Sequence, residues 1–425
     1  MSTQPASWLW ILAVLLAVIA LLGLAIWSIK RHKDPHLSLE TKLTIDQLVP
    51  SLSGISLGMA IEGNAVEVLE NGAFYDRLLA DIAAAQRTVH FETFLWKDGA
   101  LGRRLAEAFS ARARAGVTVR LVLDANGCKK MGKAVRGQMQ AAGCKLALFH
   151  PRTLKNIGVV LERDHRKICV VDGRIAWVGG HCIVDEWLGN AEDECHFGDV
   201  SLRLRGPIVN IVQSAFSENW VGETGELFVG DDVFPRLPPA GNATIHAAFV
   251  KPENSAPAVK IHHHAAICCA RKRLWIQNPY FIPEPAAIDA MGEAVARGVD
   301  VRVLMPAASG SDNPMVQHAG HRNFEKLLRC GVRLFEYPRT LLHQKVMTID
   351  GAWSSVGSSN FDDRSFETND EISLGILDSA LAQQLDAIFE KHARHAQEIR
   401  LDDWKRRPLV HKLVDQVLYA FNEVL

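Results

Sequence analysis

Residues 343–371 read HQKVMTIDGAWSSVGSSNFDDRSFETNDE. The order is His343-x-Lys345, four residues, Asp350, six residues, then Gly357-Ser358-Ser359-Asn360. In a strand, residues two apart share a face, so His343 and Lys345 point to one side while Val346 and Ile349 anchor the segment in a core. A titratable imidazole then stands beside a fixed cation. After the next strand, Ser358 offers a hydroxyl and Asn360 an amide beside backbone opened by Gly357, a combination suited to a phosphate group.

Working outward, the same pattern occurs earlier as His165-Arg166-Lys167, Ile168 to Val171, Asp172, six residues, then Gly179-Gly180. A lone His-x-Lys is most often a solvated strand face; two copies with matched spacing are not. This pair of His-x-Lys-x4-Asp-x6-Gly motifs resembles the phospholipase D superfamily, in which two similar halves build one active site. Flanking stretches narrow the resemblance: VEVLENGAFYDRLLADI, VHFETFLWKDG, GVTVRLVLDANG, QNPYFIPEP, ARGVDVRVLMP, SENW and the opening stretch itself. From residue 64 onward the chain is similar to bacterial cardiolipin synthases of the phospholipase D type.

At 425 residues and 48% hydrophobic content the chain is long enough for two domains or one large pseudo-symmetric one. The formal net charge of -1 tilts away from a nucleic-acid partner, and none is expected. Eight cysteines without paired spacing suit free thiols in a reducing compartment. Trp8 to Ile29 carries no charge over 22 residues, about 33 Å as a helix against a hydrocarbon core of about 30 Å. Lys30, Arg31 and Lys33 follow it, so residues 1–33 are expected to form a single-pass anchor with everything downstream in the cytoplasm. With the resemblance, this implies a bacterial inner-membrane protein.

Residues 34–60, with Pro35, Pro50, Gly54 and Gly58, read as a linker. From Asn64 a strand–helix rhythm begins, with strands expected at 66–69, 89–96 and 117–124 and helices at 74–86 and 102–115. The Pro/Gly-rich segment 234–242 marks a boundary, after which RGVDVRV (297–303) echoes RAGVTVRL (114–121), and GVRL (331–334) echoes GCKL (143–146). An α/β fold follows, with two pseudo-symmetric phospholipase D-like lobes, 61–233 and 243–400, each a mixed, mainly parallel sheet flanked by helices. The tail 401–425 reads as an amphipathic helix, suited either to an anionic membrane surface or to packing on the core.

What the resemblance implies for chemistry is transfer at a phosphodiester through a phosphohistidine. Family precedent makes His165 the nucleophile and His343 the general acid. Lys167 and Lys345 would neutralise the nonbridging oxygens, with Ser358 and Asn360 donating hydrogen bonds, so neither metal nor other cofactor is called for. Asp199 and Glu371, each opening a strand after its motif, are the carboxylates expected to hold the histidines' other ring nitrogens. Asp172 and Asp350 belong to the catalytic set by motif, yet beside Gly173 and Gly351 they also suit a structural role at a strand turn. The first motif ends Gly180-His181-Cys182 where an amide donor is expected; Cys182 donates weakly, and His181 could cover the gap. His262 to His264 with Cys268 and Cys269 lack any recognised ligand spacing. The substrates implied are phosphatidylglycerol and a phosphatidyl donor in a lipid bilayer. Hydrolysis of phospholipids by the same residues, or a catalytically weakened membrane scaffold, are the alternative readings.

Overall fold

The computed structural model describes residues 6–33, 36–56, 58–151, 162–250 and 257–419, with positions 153, 156 and 159 between. Residues 1–39 and 40–425 form separate compact units. The first holds α1 (Ala6–Lys33), one continuous helix of 28 residues. Among the described residues no helix is long and apolar enough to cross a membrane, so the anchor expected over residues 8–29 is not shown. Part of that run, residues 9, 22, 23 and 25–29, lies outside the described side chains.

The second unit repeats one order of elements. After α2 (Ile45–Ser56) come β1 (Ala60–Glu70), α3 (Ala73–Ala84), β2 (Thr88–Thr93), α4 (Ala100–Arg114), β3 (Thr118–Asp124), α5 (Lys133–Ala141) and β4 (Lys145–Phe149). The first motif and its sequel follow as β5 (Ile168–Val171), β6 (Ile175–Gly179), β7 (Val200–Arg205) and α6 (Ile208–Thr224). The second half then runs β8 (Ala243–Val250), α7 (Ala258–Cys269), β9 (Arg273–Gln277), α8 (Pro285–Ala296), β10 (Asp300–Pro306), α9 (Pro314–Arg329) and β11 (Arg333–Tyr337). It ends with β12 (Val346–Ile349), β13 (Trp353–Gly357), α10 (Asp363–Glu367), β14 (Glu371–Leu377), α11 (Ser379–Ala393), β15 (Gln397–Ile399), α12 (Leu401–Lys405) and α13 (Leu409–Tyr419).

These strands make one 15-stranded sheet, ordered β15-β11-β10-β9-β12-β13-β14-β8-β1-β7-β6-β5-β2-β3-β4. Read inward from either end, after the extra β15, the order is the same, as a pseudo-twofold through the β1–β8 seam requires. The expected lobes are therefore joined edge to edge, with Ile61 opposite Ile245. One core crosses the seam: Val209, Val212 and Phe216 of α6 pack in the same buried cluster as Leu385 and Ile388 of α11. The sheet is not mainly parallel. Only β2–β3, β3–β4, β9–β10 and β10–β11 run parallel; the other ten of the fourteen pairings are antiparallel.

The reason lies in the motifs. Asp172-Gly173 and Asp350-Gly351 all have positive φ (53°, 61°, 56° and 65°), the left-handed pair at the centre of tight turns closed by the Arg174 N–H on the Val171 carbonyl and the Ala352 N–H on the Ile349 carbonyl. So β5–β6 and β12–β13 are hairpins rather than crossover units. The expected linker is also corrected in part. Ile45, Leu48, Val49 and Leu52, at helical spacing, are buried on α2, and the Arg271 guanidinium donates to the carbonyls of Thr41 and Leu43.

Burial holds several histidines neutral. His90, His181 and His246 are pushed down to about 4, and His263 and His392 to about 3, in each case first by loss of hydration. A histidine whose folded pKa is depressed stabilises the fold fully above its unfolded value, about 6.5, and loses that contribution as pH falls toward the folded value. Stability should therefore drop between pH 6.5 and 4, by about 1.4 kcal/mol per such histidine for each pH unit. Urea midpoints measured across this range test it; a flat profile would refute the neutral assignment.

Candidate active site

The backbone crosses the halves before any side chain does. The His165 N–H donates to the Asp370 carbonyl (3.0 Å), and the His343 N–H to the Gly198 carbonyl (2.7 Å). Each motif histidine is thus tied to the residue just before the other half's carboxylate. The side chains follow: His165 Nδ1 lies 2.7 Å from Glu371 Oε1, and His343 Nδ1 lies 2.8 Å from Asp199 Oδ2. Asp199 and Glu371 are the expected partners, and the pairing runs crosswise. Because a carboxylate accepts, both Nδ1 atoms carry the proton, and Nε2 of His165 is left with its lone pair.

Burial decides the charge states. His165 is depressed to about 4, chiefly by desolvation, with Glu371 opposing and Lys167 adding to the shift. His343 is lowered too, by desolvation and then by Lys345. Against the desolvation that would raise it, Asp199 stays ionised, held down to about 2 by His343 and its other neighbours. Lys345 is lowered to about 7 by desolvation, and its ammonium lies 2.8 Å from His343 Nε2. Lys167 donates to the His165 carbonyl and lies 5.3 Å from the centre of the Phe94 ring, which also meets His165 edge-on.

The supporting residues divide unequally. Ser358 is not a free phosphate donor: its hydroxyl donates to Glu371 and accepts from the Ile372 N–H. Gly180, its counterpart in the first half, must lack a side chain, since an added Cβ would lie 2.4 Å from Asp199 Oδ1. Asp199 is braced instead by Trp187 Nε1 (2.9 Å) and the Val200 N–H (2.8 Å). Trp187, which also sets its ring edge-on to His343, was missed in the sequence, where it reads as one more core aromatic. Asn360 lines the pocket with its amide oxygen unpartnered. Cys182 is buried, its thiol 3.8 Å from the Gly180 carbonyl. His181 does not cover for it, because Nδ1 meets Ser201 Oγ (2.7 Å) and Nε2 the Asn71 carbonyl (3.1 Å).

Asp172 and Asp350 stand apart from this chemistry. Asp172 accepts from the N–H groups of Gln86, Arg87 and Thr88, and Asp350 from those of Arg271, Lys272 and Arg273. Each carboxylate caps the loop into the neighbouring strand, β2 or β9, which is a structural task.

A pocket of about 340 Å³ opens on His165 and Asn360. Arg163 and Arg364 line it on a polar side, Tyr280, Ile282 and Val316 on a less polar one. None of these was singled out in the sequence, because they come from loops and a helix start that no spacing rule connects.

A family model described as cardiolipin synthase, phospholipase D-like domain, matches residues 78–195 and 264–393. The chain belongs to the phospholipase D-like cardiolipin synthase family. Cardiolipin synthase A of Pseudomonas putida is 34% identical over 367 residues, covering 86% of this chain and 76% of the relative. The cardiolipin synthase of Geobacillus kaustophilus is 31% identical over 362 residues, covering 84% and 72%. In fold alone the chain is similar to phosphatidylserine synthase of Haemophilus influenzae, with a TM-score of 0.67 at 14% identity over 87% of this chain and 97% of that one. As a family member the chain is a phosphatidyltransferase of the cardiolipin synthase type.

Two substitutions separate the roles. Glu371→Gln removes the charge behind His165 and should slow turnover by roughly 10²–10⁴-fold with the fold intact. Asp172→Ala should instead lower stability by about 2 kcal/mol, through lost hydrogen bonds to a charged acceptor, and leave turnover at low temperature within a fewfold. Activity assays at 15 °C beside urea titrations distinguish them; a catalytically dead but stable Asp172→Ala would return this carboxylate to the chemistry.

Proposed function

We propose that the chain makes cardiolipin by a two-step transfer on His165. The observation that carries the reading is the crosswise pairing of each buried neutral imidazole with an ionised carboxylate of the other half. His165 Nε2 attacks the donor phosphorus, forming an N–P bond as the bond to the leaving alcohol breaks. The proton that alcohol needs comes from the His343–Lys345 pair, which shares it across 2.8 Å. In the second step His343 takes the proton of the acceptor's hydroxyl, the acceptor oxygen attacks phosphorus, and His165 is released. With phosphatidylglycerol as both donor and acceptor, the products are cardiolipin and glycerol.

Lys167 and Lys345 balance the charge that builds on the nonbridging oxygens, and Asn360 adds an amide donor. The lipid substrates stay in a bilayer, and we assign α1 with its uncharged run to anchoring the enzyme there, at the inner membrane with residues 40–425 on the cytoplasmic side. Water in place of the second lipid would give hydrolysis by the same groups; no feature of the site favours it.

Purified enzyme given phosphatidylglycerol with labelled phosphate should yield cardiolipin and an acid-labile, base-stable phosphoenzyme. His165→Ala should abolish the adduct, whereas His343→Ala should slow its formation and retain it. Label on His343 would reverse the roles. Between about pH 4 and 7, His165 is neutral and Lys345 still charged, so kcat/KM should be highest there wherever the fold holds.

A further inference from the structure

Helix α13 turns Asp415 toward the protein, with Leu418 and Tyr419 at its end. Asp415 is buried, accepting from His318 Nδ1 (3.0 Å) on α9 and from Arg407 Nη1 (3.0 Å). His321, also on α9, lies 3.7 Å from Asp415 and 3.2 Å from Glu336. On the opposite side of the helix, Leu409, Val410, Leu413 and Val417 are 81%, 68%, 65% and 51% exposed. At 100° per residue these four span about 100°, and Asp415 falls nearly opposite their middle. A helix laid on a soluble core puts that stripe inward; this one displays it.

Two further observations say what covers it. Lys405 and Arg406, just before the helix, and His411 on it are exposed, with Lys412 half-buried, and Asp402, Asp403 and Glu325 are the acids beside them among the described residues. At the other end Leu418 and Tyr419 pack against Ile282, Val316 and Ala319, beside Tyr280. Tyr280, Ile282 and Val316 also line the pocket that holds His165. The displayed stripe therefore follows a charged turn, and the helix that carries it ends at the rim of the catalytic pocket.

We propose that α13 lies on the surface of an anionic phospholipid bilayer, its apolar stripe among the acyl chains, and so presents the pocket rim to lipids still in the membrane. The proposal rests on the lipid-transfer reading for its substrate but not for its geometry. A phosphatidyl group then reaches His165 along Tyr280, Ile282 and Val316 without its chains crossing water. The buried Asp415 cluster fixes the rotation of the helix and keeps the stripe outward.

The full chain carrying L409S, V410S, L413S and V417S together is compared with the starting chain on two forms of phosphatidylglycerol. One is held in vesicles, the other is a short-chain form dissolved as monomers. Loss of the stripe should lower kcat/KM on vesicles by about tenfold or more and change it less than twofold on monomers. Equal loss on both, or none on vesicles, overturns the proposal. Sedimentation supplies the rival occupant: if the starting chain is a dimer that these changes split, a second copy covers the stripe. Independently of turnover, an environment-sensitive dye on Leu413→Cys in a Cys195→Ser background should shift to the blue on phosphatidylglycerol vesicles, and less as salt rises. No shift refutes α13 docking even in an active enzyme, whereas a shift without any cardiolipin formed refutes only the assigned reaction.

Discussion

Everything in the site depends on two carboxylates buried where water cannot screen them. Asp199 and Glu371 have no exposed surface, and an isolated ionised carboxylate there would be costly by several kcal/mol. Each is held ionised by donors: His343, Trp187 and a backbone N–H around Asp199, His165 and Ser358 around Glu371. These donors come from both halves. The ionised state therefore exists only when the halves are joined, and the continuous sheet across β1–β8 is what joins them. Catalytic competence and the closure of the pseudo-symmetric fold are in this sense one event.

The same burial sets the proton inventory. Without it, an imidazole beside a carboxylate would be drawn toward the charged form, and His165 would be a poor nucleophile. Desolvation, reinforced by Lys167 and Lys345, outweighs Glu371 and leaves His165 neutral. Lys345 carries the complementary burden, lowered to about 7 so that its proton is mobile at the site rather than locked on an ordinary amine. Two positive lysines without substrate repel one another; a bound phosphodiester relieves that repulsion. Anion binding and the resting electrostatics are thus coupled without any moving part.

Much of this was legible in the sequence. The matched spacing of His165 to Gly179 and His343 to Gly357 shows two copies of one hairpin, and the positions of Asp199 and Glu371 after them mark equivalent carboxylates. The crossing was not legible, since periodicity within a strand says nothing about which half's histidine a carboxylate meets. The parallel character of the sheet was overestimated because β2–β3–β4 and β9–β10–β11 dominate the strand–helix rhythm, while Asp172-Gly173 and Asp350-Gly351 spell tight hairpins in two residues each. Helix α2 was hidden behind Pro50 and Gly54, although Ile45, Leu48, Val49 and Leu52 carry its period. Tail periodicity pointed to one helix over 401–425, but the chain breaks before Pro408 into α12 and α13, residues 420–425 lie outside the described ones, and only the buried ion cluster at Asp415 tells which side of α13 faces the protein.

The two halves differ in one matched pair of choices, and the difference follows from side-chain length. Glutamate reaches one methylene further than aspartate. In the second half, Glu371 extends far enough that the residue after Gly357 can be a serine, whose hydroxyl then fills the carboxylate's second oxygen. In the first half, the shorter Asp199 brings its carboxylate so close to the corresponding backbone that a Cβ on Gly180 would collide with both oxygens, at 2.4 and 2.6 Å. Glycine is required there, and the missing hydroxyl has to be replaced from elsewhere. The Val200 N–H does so at Oδ1, while Trp187, from the loop between β6 and β7, shares Oδ2 with His343 and sets its ring against the edge of that imidazole. A flat, rigid indole constrains both partners more than a serine can, so His343 and Asp199 are held by packing as well as by charge. His165, by contrast, has Phe94 on one edge and faces the open pocket. The imidazole that exchanges protons is the clamped one, and the imidazole beside the substrate pocket is the one with room to take up a phosphorus.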